Sequence, residues 1–370
     1  MNEFNGIYRG KKVFLTGHTG FKGGWLSAWL SELGAEITGY SLESDQSPNL
    51  FSACYIAERL RSVIGDVRDA DRLQESMKKS RPEIVFHLAS QPLVRRSYRE
   101  PALTFDTNVM GLVNLLEAVK NVDSVRAVVI ITSDKCYENK EWVWGYRETD
   151  EMGGHDPYSA SKGCAEIVAS SYRRSFFMKG DRSIALATAR AGNVIGGGDW
   201  SEDRLIPDCV RAFHRGEEVV LRNPSSIRPW QHVLEPLSGY LWLGAKLLKS
   251  GDEFGGGWNF GPPPEGCLEV EKVVKYAADH WGKQASYRVD NNPQVHEAGY
   301  LQLDCSKAFR LLNWHSASDS ASSVASTIDW YKNYYEGAEN MYDFSIIQIK
   351  KYVEAAQRLN LDWASTDTNH

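Results

Sequence analysis

Two side chains suited to moving a proton stand four residues apart near the middle of the chain. Tyr158 and Lys162 occur in the segment YSASK, and residues at this spacing share one face of a helix. A free phenol titrates near a pH of about 10, so it is a poor base at neutral pH unless a neighbouring cation favours the phenolate. We therefore predict that Lys162, together with a positively charged ring of a bound cofactor, favours the phenolate of Tyr158 and that Tyr158 removes a proton from an alcohol.

A second reactive group, Ser133-Asp134-Lys135, directly follows the predicted strand Ala127–Thr132. Ser133 is placed to hydrogen-bond the hydroxyl that Tyr158 deprotonates, which completes a set for hydride transfer. Asp134 and Lys135 add an acid and a potential base, and elimination of water needs such a pair whereas simple oxidation does not. Two alternatives stay open: an ion pair on a solvated turn, or a structural role for one of them, since neighbours in extended chain point to opposite sides.

Hydride transfer needs an acceptor, and a glycine loop near the N-terminus predicts one. Gly17, Gly20 and Gly23 lie between the predicted strand Lys12–Thr16 and an amphipathic helix. In this context the first glycine permits a tight turn, the second lets the backbone approach a pyrophosphate, and the third allows close helix packing. The loop therefore predicts a dinucleotide site.

The end of the second predicted strand favours NAD over NADP. Ser41 is neutral, and no Lys or Arg occurs between residues 41 and 58, whereas a 2′-phosphate calls for a basic residue there. Asp66, after the third strand, is a candidate for the adenine amino group or an ordinary helix N-cap residue. The expected cofactor-binding residues are Gly17, Thr19, Gly20, Phe21, Lys22, Gly23, Asp66, Val67, Leu88, Ala89, Tyr158 and Lys162.

Four residues near these motifs have two open interpretations each. His18 and Lys22 either add charge near the cofactor phosphates or face solvent. His87 lies near the expected nicotinamide, where a strand histidine is more often structural. Trp230 is a candidate for stacking on a base, although tryptophan is more often a core residue.

The elements that carry these residues alternate between short apolar runs and helical patterns, which is typical of βαβ units. We predict an α/β fold: a Rossmann-type doubly wound parallel sheet with a smaller α/β substrate-binding lobe, and the ligand in the cleft between them. The predicted domains are the dinucleotide-binding domain over 1–190, with 228–256 returning to it, the smaller lobe over 191–345, and a C-terminal helix and tail over 346–370, in which the helix spans Ile346–Leu361.

Composition limits the classes of function. A net charge of −6 and a pI near 5.9 argue against non-specific binding to nucleic acid, and we expect neither a metal site nor a membrane segment. The N-terminus does not resemble a signal peptide. Six scattered cysteines fit buried thiols in a reducing compartment, so a cytoplasmic location is expected.

Several stretches carry a family resemblance that covers nearly the whole chain. They are GHTGFKGGWLS, TSDKCYEN, DPYSASKG, ARAGNVIGGGDW and RPWQHVLEPLSGY. The chain resembles the nucleotide-sugar branch of the extended short-chain dehydrogenase/reductases, and within it the 4,6-dehydratases that act on CDP-glucose. The related dTDP-glucose dehydratases have Asp-Glu where this chain has Asp134-Lys135, so the resemblance assigns the base at sugar C5 to Lys135.

The resemblance implies three steps at one bound NAD: oxidation at C4 with Tyr158 as base, loss of water across C5 and C6 assisted by Asp134 and Lys135, and hydride return to C6. It also implies substrate contacts from Arg190, Asn193 and Arg228.

Further implications are a homodimer or homotetramer built on helices Thr104–Val119 and Ser159–Phe177, and a role in making deoxysugars for lipopolysaccharide O-antigen. Two alternatives stay open. One is a 4-epimerase or reductase of another nucleotide sugar, which needs only the Ser/Tyr/Lys set. The other is a dinucleotide-sensing regulatory protein without catalysis.

Overall fold

The computed structural model describes residues 3–178, 183–221, 223–283, 285–289, 300–338 and 340–365. The strands in these ranges are β1 (Lys12–Thr16), β2 (Glu36–Ser41), β3 (Arg61–Ile64), β4 (Ile84–His87), β5 (Ala127–Ile131), β6 (Ala185–Arg190), β7 (Val194–Ile195), β8 (Glu218–Leu221), β9 (Ile227–Pro229), β10 (Gln231–His232), β11 (Gly256–Asn259), β12 (Cys267–Glu269) and β13 (Ser286–Val289).

The α-helices are α1 (Phe21–Glu32), α2 (Leu50–Ala53), α3 (Ala70–Ser80), α4 (Val94–Arg99), α5 (Pro101–Phe105), α6 (Gly111–Lys120), α7 (Pro157–Tyr172), α8 (Leu205–Arg215), α9 (Leu234–Ser250), α10 (Val270–Trp281), α11 (Ser306–Leu312), α12 (Ser320–Tyr335) and α13 (Met341–Arg358). A π-helical turn at Asp106–Met110 joins α5 to α6, and a second at Arg173–Phe177 extends α7. Among the described residues no helix is long and apolar enough to cross a membrane.

Seven strands form one parallel sheet in the order β3-β2-β1-β4-β5-β6-β11. Strands β4, β5 and β6 are buried throughout, as expected for parallel strands covered by helices on both faces. The order reverses direction between β1 and β4, where ligands of such sheets bind outside the carboxyl ends. The predicted doubly wound parallel sheet is confirmed.

The two faces of the sheet contribute to two separate cores. On β1, Val13 and Leu15 face a large cluster that includes Trp25 of α1 and Leu237 of α9. Phe14, between them, faces the opposite cluster formed with α3 and α6. This alternation follows from the two-residue period of a strand, and it fixes which side chains reach the cleft.

Beyond β6 the elements are shorter and form two-stranded sheets. We call α8, β8, β9, α10, β12 and β13 the second lobe; in it β8 pairs with β13 and β9 with β12. Helix α9 and strand β11, which follow β10, instead pack against β5 and β6 of the main sheet. The domain boundaries given above stay predictions.

The C-terminal helix begins earlier than predicted. Its first residue is Met341 rather than Ile346, because the Asn340 side chain caps it by accepting from the backbone N–H groups of Tyr342 and Asp343. It ends at Arg358 rather than Leu361, and residues 366–370 of the predicted tail lie outside the described residues.

Candidate active site

The glycine loop between β1 and α1 is shaped by two glycines that the protein itself requires. Gly17 has φ +79°, and a Cβ there would lie 2.8 Å from the Ala89 nitrogen. A Cβ on Gly23 would lie 2.0 Å from the Gly17 oxygen. At Gly20 the nearest protein atom would be 3.4 Å away, so packing alone does not demand glycine there.

Helix α1 begins directly after Gly20 and has no side-chain cap, so its first N–H groups are available to an anion. The open space at Gly20 is where a pyrophosphate backbone contact is expected. Both observations fit a dinucleotide phosphate at this loop.

His18 and Thr19 hold the glycine loop through hydrogen bonds to residues of β2 and β3 and to Leu42. His18 Nε2 lies 2.8 Å from Ser62 Oγ, and burial lowers the pKa of His18 to about 4. The Thr19 hydroxyl lies 2.9 Å from Ser41 Oγ and donates to the Leu42 carbonyl at 2.8 Å. His18 is thus a neutral structural residue and neither charges the phosphates nor faces solvent.

Lys22 is partly buried and lies near charged groups of the catalytic site. Burial lowers the pKa of its ammonium to about 7, and the charges of Arg204 and Lys162 act in the same direction while Asp134 and Asp199 oppose them. Lys22 was predicted either to lie near the cofactor phosphates or to face solvent. Neither describes its position fully, because the charge of Lys162 acts on it.

His87, at the end of β4, connects the glycine loop to the next loop. Its Nδ1 lies 2.8 Å from Thr16 Oγ1, and the same oxygen accepts from the N–H groups of Leu88 and Ala89, both at 3.1 Å. Burial and then the charge of Lys162 lower the pKa of His87 to about 3. This satisfied, neutral imidazole supports the structural interpretation.

Asp66, after β3, is bound by a neighbour. Its Oδ2 accepts from Arg68 Nη2 at 2.6 Å, its Oδ1 accepts from the Arg68 backbone N–H at 2.9 Å, and these contacts lower its pKa. Val67 is buried against Gly111 of α6. The contact of Asp66 with adenine stays a prediction.

The end of β5 forms a tight turn that gathers Ser133, Asp134 and Lys135. Ser133 Oγ accepts from the Lys135 N–H at 3.2 Å and donates to Asp134 Oδ1 at 3.0 Å. Asp134 is 2% exposed, and its Oδ2 has no hydrogen-bond partner within the described residues. Gly192 packs on it, since a Cβ there would lie 1.7 Å from that oxygen. Lys135 is half-buried.

Helix α7 brings Tyr158 and Lys162 to the same place. Asp156 caps the helix by accepting from the Ser159 N–H, and Pro157 is its first residue. Both functional side chains are buried, with Lys162 Nζ 6.0 Å from the centre of the Tyr158 ring and 3.4 Å from the Ile131 carbonyl.

Burial dominates the pKa values of both catalytic side chains. Burial raises it to about 12, although a hydrogen bond with Ser133 lowers it. Burial also lowers the pKa of Lys162 to about 8, despite the opposing effects of Cys136 and Glu166. In the protein alone, desolvation of the phenolate is the larger effect, and the lowering by Lys162 together with a nicotinamide ring stays a prediction.

Sequence reasoning missed Asn108, which holds the catalytic helix. Its Oδ1 accepts from the Gln91 N–H at 2.7 Å, and its Nδ2 donates to Ser161 Oγ at 2.8 Å. Ser161 in turn donates to the Tyr158 carbonyl at 2.7 Å. A single buried amide inside an apolar helix pattern is the signal that could have identified it.

Arg204, at the start of α8, was also missed. It pairs with buried Asp199 at 2.7 Å. Its charge acts to lower the pKa of both Tyr158 and Lys22. The Asp199 side chain is 5% exposed and that of Arg204 is 33% exposed, and this ion pair can be recognised only once the fold is known.

Arg190 does not face the cleft. Its Nε and Nη2 donate to Glu166 at 2.9 and 2.7 Å, and its Nη1 donates to the Tyr137 hydroxyl and the Glu148 carbonyl at 2.5 and 3.3 Å. Since every guanidinium nitrogen is engaged by protein, we reassign Arg190 from substrate contact to scaffold.

The other two predicted substrate residues lie nearer the second lobe. Asn193 has φ +46° and its carbonyl accepts from the Gln231 N–H. Arg228 is half-buried on β9 and donates to the Ile227 carbonyl. Trp230 is 5% exposed and its Nε1 donates to the Leu268 carbonyl at 3.1 Å, which supports the core interpretation.

Comparisons with known proteins point to one family. The family model described as GDP-mannose 4,6 dehydratase matches residues 14–251. CDP-glucose 4,6-dehydratase of Salmonella typhimurium strain LT2 is 52% identical over 355 residues, which cover 95% of this chain and 99% of that protein.

Solved structures share the fold. MoeE5 in complex with UDP-glucose and NAD matches with a TM-score of 0.72 at 24% identity, covering 87% of this chain and 99% of that one. A dTDP-glucose 4,6-dehydratase double mutant from Streptomyces venezuelae, with NAD and DAU bound, matches with a TM-score of 0.72 at 22% identity, covering 86% and 96%.

Proposed function

The chain belongs to the nucleotide-sugar dehydratase family whose model is described as GDP-mannose 4,6 dehydratase, and from this premise we propose that it converts CDP-glucose into CDP-4-dehydro-6-deoxyglucose. The reaction is an NAD-dependent 4,6-dehydration, so the protein is a hydro-lyase. The choice of nucleotide is supported by the 52% identity to the Salmonella enzyme.

The observation that carries the reaction class is the assembly at the end of β5. Ser133, Tyr158 and Lys162 meet there, but an epimerase would also need these three residues. Asp134 adds a buried carboxylate whose Oδ1 accepts from Ser133 and whose Oδ2 has no hydrogen-bond partner among the described residues. Elimination of water needs a group that protonates the departing hydroxyl, in addition to the Ser/Tyr/Lys set, and Asp134 is placed to be that group.

NAD fits the glycine loop, since Gly20 leaves room for the backbone to approach a pyrophosphate and Ser41 at the end of β2 carries no charge. Gly17, Thr19, Gly20, Phe21 and Gly23 would hold the phosphates, with Leu88 and Ala89 beside the nicotinamide, and Asp66 and Val67 at the adenine end. NAD bound by these residues would supply a hydride acceptor for sugar C4 and, once reduced, a hydride donor for C6.

The protein's own residues manage the protons. Tyr158 takes the proton of the C4 hydroxyl, and Ser133 orients that hydroxyl. Because burial holds the pKa of Tyr158 at about 12, the phenolate depends on nearby positive charge, which Lys162 and Arg204 supply from the protein. A ketone at C4 makes the C5 hydrogen acidic, Lys135 removes it, and Asp134 protonates the departing C6 hydroxyl.

We assign the substrate diphosphate to Arg228, because a guanidinium fork matches phosphate oxygens, and the sugar to Asn193. Both residues lie where the second lobe meets the main sheet.

We further propose that two chains associate through α5, α6 and α7 with their π turns. Phe105, Met110, Ile167 and Phe176 on these helices are large apolar residues that remain exposed in one chain, which indicates a partner surface. Ile167→Glu should give a monomer by light scattering, whereas Leu311→Glu, at an exposed site on α11, should not. A dimer or tetramer with Ile167→Glu would contradict this interface.

The six unpaired cysteines support a cytoplasmic location.

The function is tested by offering CDP-, dTDP-, UDP- and GDP-glucose with NAD and identifying products by NMR. We expect a 4-keto-6-deoxy sugar from CDP-glucose. Tyr158→Phe should lower kcat by about 10²-fold or more, while Tyr172→Phe on the same helix serves as the control. A product epimerised at C4 would favour the epimerase, and dehydration of another nucleotide only would overturn the substrate.

A further inference from the structure

Asp134, the proposed acid for the departing C6 hydroxyl, is held by few bonds of its own. The described residues give its carboxylate one hydrogen bond, which the Ser133 hydroxyl donates to Oδ1 at 3.0 Å, and its Oδ2 has no partner among them. A serine hydroxyl carries one proton. When Ser133 donates that proton to the oxygen at sugar C4, Asp134 loses this bond, so another contact must fix its position during elimination.

Gly192, in the turn between β6 and β7, provides such a contact. A Cβ on Gly192 would lie 1.7 Å from Asp134 Oδ2, 2.2 Å from its Cγ and 2.7 Å from its Oδ1. The backbone of Gly192 therefore lies against the whole carboxyl group, and a side chain there would displace it. The position of Asp134 consequently depends on the position of this turn.

Gln231 of β10 fixes the turn through both its side chain and its backbone. Its Nε2 donates to the Gly192 carbonyl at 3.1 Å, and its backbone N–H donates to the Asn193 carbonyl at 3.3 Å. Asn193 has φ +46°, a left-handed conformation that is uncommon for residues other than glycine and persists only where the surroundings impose it. The turn therefore relies on hydrogen bonds from outside it.

The amide of Gln231 also connects the turn to the main sheet. The same Nε2 donates to the Phe260 carbonyl at 3.1 Å, and the Phe260 N–H donates to the carbonyl of Arg190, the last residue of β6, at 2.9 Å. Gln231 is 1% exposed, so water does not compete for these bonds. The two carbonyls also fix the orientation of the amide, because only its nitrogen can donate to them.

We propose that Gln231 is a positioning residue for the elimination step: its side chain holds Gly192 against Asp134 and so keeps the acid beside the C6 hydroxyl. This inference rests on the dehydration proposed above. Oxidation at C4 uses the Ser/Tyr/Lys set, which is carried by the end of β5 and by α7. Loss of the Gln231 amide should therefore slow elimination and leave oxidation intact.

The test compares the wild-type protein with Gln231→Met, which keeps the approximate size of the side chain but loses both donors. With CDP-glucose and NAD, kcat should fall about ten- to hundred-fold, the cost of displacing a reacting group by about 1 Å, and KM should stay unchanged. The C4-oxidised intermediate should accumulate, and the absorbance of enzyme-bound NADH should rise with it. A merely structural role would lower kcat without raising bound NADH.

Two further variants keep the test informative if Gln231→Met folds poorly. Gln231→Glu keeps the shape, and a carboxyl group that faces two carbonyls is held neutral and retains one donor, so its kcat should lie between the other two. Gly192→Ala displaces Asp134 from the other side of the same contact and should also raise bound NADH. Gln348→Met on α13, which removes an amide that donates to the Ser326 carbonyl at 2.6 Å, is the control and should keep wild-type kinetics.

Wild-type kcat in Gln231→Met would overturn the proposal. So would a lowered kcat without a rise of bound NADH in either Gln231 variant, or wild-type kinetics in Gly192→Ala. Absence of a keto product from the wild-type protein is a different result, because it would refute the dehydration itself.

Discussion

The buried pair Arg190–Glu166 gives a prediction that separates its two possible roles. The side chains are 4% and 5% exposed, and the closest approach is 2.7 Å. Burial alone would raise the pKa of Glu166. The charge and hydrogen bonds of Arg190, and the hydrogen bonds of Thr132 and Thr188, instead hold this pKa below its usual value. Glu166 is therefore charged, and removing either partner strands the other charge in the core.

Glu166→Gln and Arg190→Met should each lower the free energy of unfolding by about 3–5 kcal/mol. The double variant should lose at least about 1 kcal/mol less than the sum, because no unpaired charge remains. Urea unfolding followed by tryptophan fluorescence measures all three. Glu75→Gln, at a pair whose members are 60% and 64% exposed, is the control and should cost under about 0.5 kcal/mol.

Kinetics complete the comparison. If Arg190 is scaffold, folded Arg190→Met keeps its KM for CDP-glucose. A direct contact with the diphosphate would be a charged hydrogen bond of about 1.5–3 kcal/mol, and its loss would raise KM roughly ten-fold or more. A raised KM together with a loss of stability under about 1 kcal/mol would refute the scaffold assignment.

Three further changes test other parts of the site. Gly23→Ala should abolish NAD binding by calorimetry, since its Cβ would meet the Gly17 oxygen at 2.0 Å, whereas Gly261→Ala, with its nearest contact at 3.5 Å, should not; NAD binding by Gly23→Ala would contradict the loop geometry. Asn108→Ala should cost about 1–3 kcal/mol and lower kcat, because the Gln91 N–H is left unpaired; unchanged stability would show that water replaces the amide. The Lys162 pKa of about 8 in the folded protein lies below the unfolded value of about 10.4, so the unfolded state binds more protons between these values and wild-type stability should gain up to about 1.4 kcal/mol per pH unit there; Lys162→Met should lack this gain, and equal slopes would contradict the burial.

The sheet was predictable because its signal is local. The predicted strands Lys12–Thr16 and Ala127–Thr132 match β1 and β5 to within one residue at each end, and the glycine loop follows β1 as its spacing indicates. Parallel strands buried on both faces are continuous apolar segments, so the sequence alone marks them.

Long-range pairing explains what was not predicted. Arg190 is the last residue of the buried strand β6, but its partner Glu166 lies 24 residues earlier on α7, and no local pattern reveals that contact. Asn108 acts through Ser161, 53 residues away. The position of Lys22 depends in the same way on Arg204 and Lys162, which only the folded chain brings near it.

The central claim, dehydration with an internal return of hydrogen, is tested most directly with CDP-glucose carrying deuterium at C4. The account predicts a 4-keto-6-deoxy product with that deuterium at C6 and no net formation of NADH. A hexose product that keeps its C6 hydroxyl and its deuterium at C4 would contradict the account. So would a product that is formed together with one equivalent of NADH.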